Sequence, residues 1–218
     1  MKQREPSSAT SPRRQPARWR SVALVVVWLA ASAGGLLALI DHSTAPGEPA
    51  VASPNWPRDA FERALTRPTL VVFAHPLCPC TLATIGEVER IATRCGDALH
   101  IEIIGLETRE DAAPRAPSAI ERRASAIPGG RWQIDAGGLI ARSFGARTSG
   151  QAFLYDANGR LLFEGGLTSS RGHEGENVGA SSVVALVGRG APNTARTPVF
   201  GCSLVDGHRT EPAPGGAR

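Results

Sequence analysis

The longest apolar stretch of the chain runs from Ser21 to Ile40, twenty consecutive residues without a charged side chain. As a helix it would be about 30 Å long, which is enough to cross the hydrocarbon core of a bilayer. The preceding residues 1–20 carry six basic side chains and one acidic one. Because basic flanks stay in the cytoplasm, the pattern predicts a transmembrane anchor over 21–40, a cytoplasmic segment over 1–20, and export of the rest.

A cleaved signal peptide is the competing interpretation of the same stretch. Ala31-Ser32-Ala33 matches the small-residue pattern found at cleavage sites. The apolar residues continue past this point from Leu36 to Ile40, which favours the uncleaved anchor. Both interpretations place the following residues outside the cytoplasm.

Beyond the anchor, the pattern predicts one folded domain between two loose segments. Residues 41–57 contain four prolines among small and polar residues, which is typical of a linker. Residues 58–204 alternate between apolar runs and amphipathic stretches, as a single domain does. Residues 205–218 are polar with Pro and Gly, which predicts a flexible tail.

Strand and helix patterns alternate within residues 58–204. Thr69–Ala74 is an apolar, β-branched run that predicts a buried strand, and Thr81–Thr93 has apolar residues at helical spacing. An Asn158-Gly159 turn predicts a hairpin near the end of the domain. The other predicted elements are strands over Leu99–Leu106, Ala152–Tyr155 and Arg160–Phe163, and helices over Ser118–Ala126, Gly137–Phe144 and Asn177–Val187. Their order predicts an α/β fold with a mixed sheet flanked by helices.

Charge and lysine content exclude several functions. The net charge of +4 comes from residues 1–20, and the rest of the chain is close to balanced. No basic stripe with interleaved aromatic residues is present, so we predict no nucleic-acid partner. Lys2 is the only lysine, which leaves the domain without a Schiff-base lysine or a Walker-type phosphate loop.

Two of the four cysteines form the motif Cys78-Pro79-Cys80, between the first predicted strand and its helix. Proline favours the first helical position, which would make Cys78 the N-cap, where the helix dipole lowers the pKa of a thiol. We therefore expect Cys78 to be the exposed, attacking thiolate and Cys80, inside the first turn, to be the resolving thiol. A disulfide between them would close a small, strained ring, and strained disulfides are easily reduced.

The other two cysteines, Cys95 and Cys202, are predicted to lie in different places relative to the motif. Cys95 lies fifteen residues beyond Cys80, roughly 22 Å along a continuous helix, so a disulfide between them is excluded. Cys202 follows the apolar run Pro198–Gly201, which predicts docking on the domain. We expect Cys202 to lie near Cys78 and Cys80, as a possible third redox cysteine.

These residues resemble the membrane-anchored thioredoxin-like proteins of bacteria, the TlpA and ResA type, including a RedB-like subgroup. The resemblance covers residues 58–188 and rests on TLVVFAHPLCPC (69–80) and FGARTSGQAFLYDANGRLLFE (144–164). It implies a thiol–disulfide oxidoreductase that acts on a protein thiol or disulfide partner. It also implies a single-pass protein of the inner membrane, with its domain on the periplasmic side.

The sequence departs from that family at two positions beside the proposed site. The family motif is Cys-x-x-Cys, whereas Cys78 and Cys80 are separated by one residue. The family also places a cis-proline before its central strand, where this chain has Gly150. Both departures argue against ordinary thioredoxin-type disulfide reduction.

Two alternatives remain open at this point. The oxidoreductase interpretation requires no cofactor, but Cys78, Cys80 and His173 would suit copper or zinc, because thiolate and imidazole are ligands that both metals prefer. Such a protein would deliver or assemble a metal centre. The third interpretation is a non-catalytic thioredoxin-like binding module.

Overall fold

The computed structural model describes residues 17–107, 116–189 and 194–204. These residues form two compact units, which divide between His42 and Ser43. Helix α1 (Ala17–Thr44) accounts for the described part of the first unit. Its apolar side chains are exposed, Leu24 and Leu37 among them. Within the described residues, Trp19–Thr44 is the one helical stretch long and apolar enough to cross a bilayer, with a mean hydropathy of 2.4.

The second unit is built on a five-stranded mixed sheet. Its strands are β1 (Thr69–Ala74), β2 (His100–Glu107), β3 (Gly130–Ala136), β4 (Gln151–Tyr155) and β5 (Leu161–Gly166). The strand order is β3-β2-β1-β4-β5, with β1, β2 and β3 parallel to one another and the hairpin β4–β5 antiparallel to β1. Strand β1 is therefore central, and all six of its residues are buried.

Helices cover both faces of this sheet because successive strand residues point to opposite sides. On one face, Leu70 and Val72 of β1 pack with α2 (Cys80–Cys95), α3 (Ala119–Ser125) and α5 (Val178–Arg189). On the other, Val71 and Phe73 pack with α4 (Leu139–Phe144). The predicted α/β fold, a mixed sheet flanked by helices, is confirmed.

Two predicted helices begin with the caps that their sequences encode. Ser118 and Glu121 form a reciprocal capping box at the start of α3. At the start of α5, the side chain of Asn177 accepts a hydrogen bond of 2.7 Å from the backbone N–H of Ala180. Both side chains satisfy N–H groups that have no partner within the helix.

Strand β3 was not predicted from the sequence. It lies at the edge of the sheet and pairs only with β2, so most of its residues are partly or fully exposed. Its sequence, GRWQIDA, is a mixture of polar and apolar residues rather than an apolar run. An edge strand that buries little apolar surface lacks the pattern by which a central strand is found.

The segment predicted as a linker, 41–57, is in part docked on the second unit. The Tyr155 hydroxyl donates a hydrogen bond of 3.0 Å to the carbonyl of Ser53, and the Val51 N–H donates to Gly145 O at 3.1 Å. Trp56 packs edge-on against Phe144 and Tyr155. The folded unit therefore begins before residue 58, since apolar residues among the prolines cover one face of the sheet. Most of the segment predicted to be cytoplasmic, 1–20, and the whole predicted tail, 205–218, lie outside the described residues.

Candidate functional site

The motif Cys78-Pro79-Cys80 occupies the turn between β1 and α2. The N–H of Cys78 donates a hydrogen bond of 3.1 Å to His75 O, and the N–H of Thr81 donates one of 3.0 Å to Cys78 O. Helix α2 begins at Cys80, with Pro79 as its N-cap in an α-helical conformation (φ −62°, ψ −27°). The expected N-cap, Cys78, therefore lies one residue before the cap.

Cys202 reaches this turn on a short segment that crosses from the far end of the chain. Residues 202–204 run antiparallel to 147–149, through a hydrogen bond of 2.8 Å from Ser149 N–H to Cys202 O and one of 2.7 Å from Leu204 N–H to Arg147 O. Gly201 lies directly against Ser149, where a Cβ would be 1.9 Å from the Ser149 carbonyl oxygen. Only glycine permits this approach without movement of the backbone.

The three thiols meet at Cys78. Both the thiol and the backbone N–H of Cys202 form hydrogen bonds with the Cys78 sulfur, and the Cys80 thiol forms another. The expectation that Cys202 lies beside Cys78 and Cys80 is thus confirmed. Whether it takes part in redox chemistry stays a prediction.

The exposure of the two motif cysteines is the reverse of what we expected. The Cys78 residue is 1% exposed, whereas Cys80 and Cys202 are only partly buried. Cys78 precedes the helix and contacts Cys202 and Thr81, whereas the first helical residue, Cys80, stays partly exposed. The positional argument for Cys78 as the partner-facing thiol therefore fails.

Several hydrogen-bond donors lower the pKa of the Cys78 thiol. Burial alone would raise its pKa, but the hydrogen bonds from the Cys202 thiol and backbone, from the Thr81 hydroxyl and from the Cys80 backbone outweigh burial and lower the pKa. Hydrogen bonds to the charged form of a group favour that form. These donors, which we call the cradle of Cys78, favour the negatively charged form of its sulfur.

The pKa values of the two flanking thiols, Cys80 and Cys202, are raised. Burial first, and then the charge of Cys78 and a hydrogen bond to it, raise the pKa of Cys80. Burial, followed by a hydrogen bond to Cys78 and the charges of both neighbours, raises the pKa of Cys202 to about 12. Arg171 acts in the opposite direction, since its positive charge lowers the pKa of both thiols.

Polar side chains support the turn from below. The N–H of His75 donates a hydrogen bond of 2.8 Å to the Ser149 hydroxyl, and the hydroxyls of Ser149 and Thr81 are 2.8 Å apart. Gly150, at the place of the family's cis-proline, has φ +89° and donates a hydrogen bond of 2.7 Å to Phe73 O. The described residues contain no cis peptide bond.

Arg171, Thr81 and Ser149 were not identified from the sequence. Thr81 follows Cys80 directly in the first turn of α2, and this position was a sequence signal that its hydroxyl could donate a hydrogen bond to a thiol of the site. Arg171 lies in the Gly-rich loop after β5 and donates a hydrogen bond of 2.5 Å to Gly201 O. Nothing in its local sequence marks it, because the contact joins two loops that are distant in the chain.

The third residue of the alternative metal site, His173, does not join the thiols of Cys78 and Cys80. His173 is exposed in the loop that precedes α5. Among the residues that the structure describes, His173 forms no metal-holding group with Cys78 and Cys80. Cys95, at the end of α2, packs against the apolar core between α2 and the sheet and has no part in the site.

Comparison with known proteins shows that the fold of this chain is similar to that of solved structures. No protein-family model and no curated protein matches the chain. A crystal structure of an uncharacterized conserved protein from Geobacillus kaustophilus is 21% identical with a TM-score of 0.53, covering 74% of this chain and 92% of that one. A hypothetical protein from Sinorhizobium meliloti 1021 is 21% identical with a TM-score of 0.51, covering 74% and 94%. A secreted Mycobacterium tuberculosis disulfide oxidoreductase homologous to E. coli DsbE is 20% identical with a TM-score of 0.35, covering 44% and 68%. The first two similarities show that the chain shares a fold with these proteins.

Proposed function

We propose that the protein is a thiol–disulfide oxidoreductase that uses Cys78 and Cys80. The observation that carries this proposal is the Cys78 sulfur, which is stabilised as a thiolate and lies in hydrogen-bond contact with a second, accessible thiol. A stabilised thiolate beside a partly exposed thiol is the combination that exchange of a disulfide requires. A buried structural cysteine has neither a lowered pKa nor a thiol partner.

We assign the contact with the partner to Cys80, because Cys78 is 1% exposed and Cys80 is partly exposed. In the oxidised protein, a partner thiolate attacks the Cys80 sulfur, the Cys78–Cys80 bond breaks, and Cys78 leaves as a thiolate. A second thiolate of the partner then attacks the partner sulfur that is bonded to Cys80. This closes the partner disulfide and releases Cys80 as a thiolate that takes up a proton. The reverse reaction uses the same groups, with the Cys78 thiolate attacking Cys80 in the mixed disulfide.

The same donors also make the Cys78–Cys80 disulfide easier to reduce. Stabilising the thiolate stabilises the reduced protein, and this raises the reduction potential of its disulfide. The short Cys78-Pro79-Cys80 ring adds strain in the same direction. Both effects favour an oxidised form that gives up its disulfide easily.

Titration of the full-length protein in detergent against mixtures of reduced and oxidised glutathione tests this function. We expect a reversible loss of two free thiols, with a midpoint above the value of about −300 mV below which structural disulfides lie. A Cys95→Ser variant should keep that midpoint, since Cys95 lies outside the site. A protein whose thiols do not change, or that binds copper or zinc stoichiometrically through Cys78, Cys80 and His173, would overturn the proposal.

We further infer that α1 anchors the protein in the inner membrane, with the second unit on the periplasmic side. The support is the length and apolar composition of Trp19–Thr44 and the basic residues before it. The partners are then exported proteins with thiols or disulfides, in a compartment where disulfides persist.

Protease treatment of intact spheroplasts tests this topology. We expect added protease to degrade residues 43–218 while an N-terminal tag survives, because only that tag lies in the cytoplasm. Disruption of the membrane should make the tag sensitive as well. Full protection of the chain in intact spheroplasts would contradict the inferred orientation, and release of an untagged soluble domain would indicate cleavage of α1.

A further inference from the structure

The Cys78 sulfur has two thiol neighbours rather than one. Cys80 approaches it from the start of α2, and Cys202 approaches from the segment that ends the described residues. Cys78 can therefore form a disulfide on either side. The choice between them depends on the geometry of each pair.

The position of Cys202 is determined by contacts on both sides of it. Its carbonyl accepts the hydrogen bond from Ser149 N–H, and Gly201 packs against the Ser149 carbonyl. Phe200 and Leu204, on either side, are buried at 8% and 6% exposure. A segment held by backbone pairing and by apolar anchors presents its thiol to Cys78 as part of the fold.

The two possible disulfides differ in strain. Cys78 and Cys80 are joined through a single proline whose φ is restrained, so the bond between them has little freedom to reach the preferred disulfide geometry. Cys202 belongs to a segment far along the chain, and no short ring constrains its bond to Cys78. The longer-range pair is consequently the less strained one.

We propose that Cys202 is a third redox cysteine, and that internal exchange moves the disulfide from Cys78–Cys80 to Cys78–Cys202. This inference rests on the proposed oxidoreductase function and adds a third sulfur to it. In the resulting form, the partner-facing Cys80 is a free thiol and the segment 198–204 is covalently tied to the redox turn.

The exchange balances without a further oxidant. Cys202 gives up its thiol proton and attacks the Cys78 sulfur, the Cys78–Cys202 bond forms as the Cys78–Cys80 bond breaks, and Cys80 leaves as a thiolate that takes up one proton. The partner disulfide that oxidised Cys78 and Cys80 has already accepted the two electrons. The step is therefore an isomerisation within the protein.

Arg171 lies where this step needs a positive charge. Negative charge passes from Cys202 to Cys80, and the guanidinium of Arg171 interacts favourably with the charged form of both. Its hydrogen bond to Gly201 O ties the same side chain to the segment that carries Cys202. One side chain thus stabilises both the attacking and the leaving sulfur.

Disulfide mapping of the full-length protein tests the proposal. The protein in detergent is oxidised with oxidised glutathione, its free thiols are alkylated, and its proteolytic peptides are sequenced by mass spectrometry. We expect a cross-linked peptide that joins Cys78 to Cys202, with Cys80 and Cys95 alkylated. A disulfide confined to Cys78 and Cys80, with Cys202 alkylated, would overturn this inference and leave the proposed function intact. An oxidised protein without any of these disulfides would overturn both.

A redox titration of Cys202→Ser gives an independent measurement. Serine keeps a hydrogen-bond donor beside Cys78 but cannot form a disulfide, so only the strained Cys78–Cys80 pair remains. Half-oxidation should then require a higher ratio of oxidised to reduced glutathione than in the unmodified protein, whereas Cys95→Ser should leave that ratio unchanged. An unchanged ratio in folded Cys202→Ser would count against the proposal.

Discussion

Replacing Cys78 with serine is expected to reduce thiol–disulfide exchange to the level of a blank reaction. Both internal disulfides of our proposal, Cys78–Cys80 and Cys78–Cys202, include this sulfur. It is also the only thiol of the three whose pKa is lowered, so its removal takes away the reactive thiolate. Cys80 remains accessible in the variant, and a mixed disulfide formed there would have no thiolate to resolve it. We therefore expect adducts of Cys80 with glutathione or a protein partner to accumulate.

Two measurements on Cys78→Ser check this expectation. Mass spectrometry should find the adduct on Cys80. The ultraviolet absorbance of a thiolate should no longer change with pH at pH values below the ordinary pKa of a thiol. Cys95→Ser is the matched control, since it removes a thiol from the core and should leave exchange and absorbance unchanged. Accumulation of partner adducts in Cys80→Ser rather than in Cys78→Ser would mean that Cys78 meets the partner and that our assignment of roles is wrong.

The fold was largely accessible from the sequence because its central elements bury apolar side chains. The predicted strand Thr69–Ala74 matches β1, which is buried on both faces and therefore reads as an unbroken apolar run. Helix α2 shows the spacing of an amphipathic helix for the same reason. Strand β3 buries too little surface to leave such a pattern, and it was missed.

The site was accessible only in part, because its properties come from contacts between distant segments. The sequence located Cys78 and Cys80 on a strand-to-helix turn and predicted that Cys202 docks nearby. It predicted an exposed Cys78, whereas the residue is 1% exposed, because burial depends on tertiary packing that a local pattern does not encode. The lowered pKa that we expected is present, but its cause is a set of hydrogen bonds rather than an N-cap position.

Arg171 illustrates the same limit. It lies in a loop whose Gly-rich sequence drew attention to His173 as a metal ligand. In the structure, the arginine faces the thiols, while the histidine is exposed. Which side chain of a loop faces a site depends on the path of the backbone, and a single sequence does not encode that path in a local pattern.

A Gly201→Ala variant is expected to separate Cys202 from Cys78. The added Cβ would lie 1.9 Å from the Ser149 carbonyl oxygen, and since both groups belong to backbone segments, one of the segments must move. Overpacking of this kind destabilises a protein by about 1–3 kcal/mol. Movement of Cys202 would also remove its thiol and its N–H from the Cys78 sulfur, so the pKa of Cys78 should rise. The Cys78–Cys202 cross-link should then fall to a minor product in the disulfide map.

Gly188→Ala is the control for this substitution. Gly188 lies within α5, and a Cβ there would meet no other atom within 4 Å, so alanine should leave stability unchanged or raise it by about 0.4–1 kcal/mol. Both variants are compared by thermal unfolding, by thiolate absorbance against pH and by disulfide mapping. If Gly201→Ala lowered stability but left the pKa of Cys78 and the cross-link unchanged, the contact between Cys202 and Cys78 would not depend on the close approach of Gly201 to Ser149. The cradle would then have to be stabilised chiefly by Thr81 and the backbone of Cys80, the donors that belong to α2 itself.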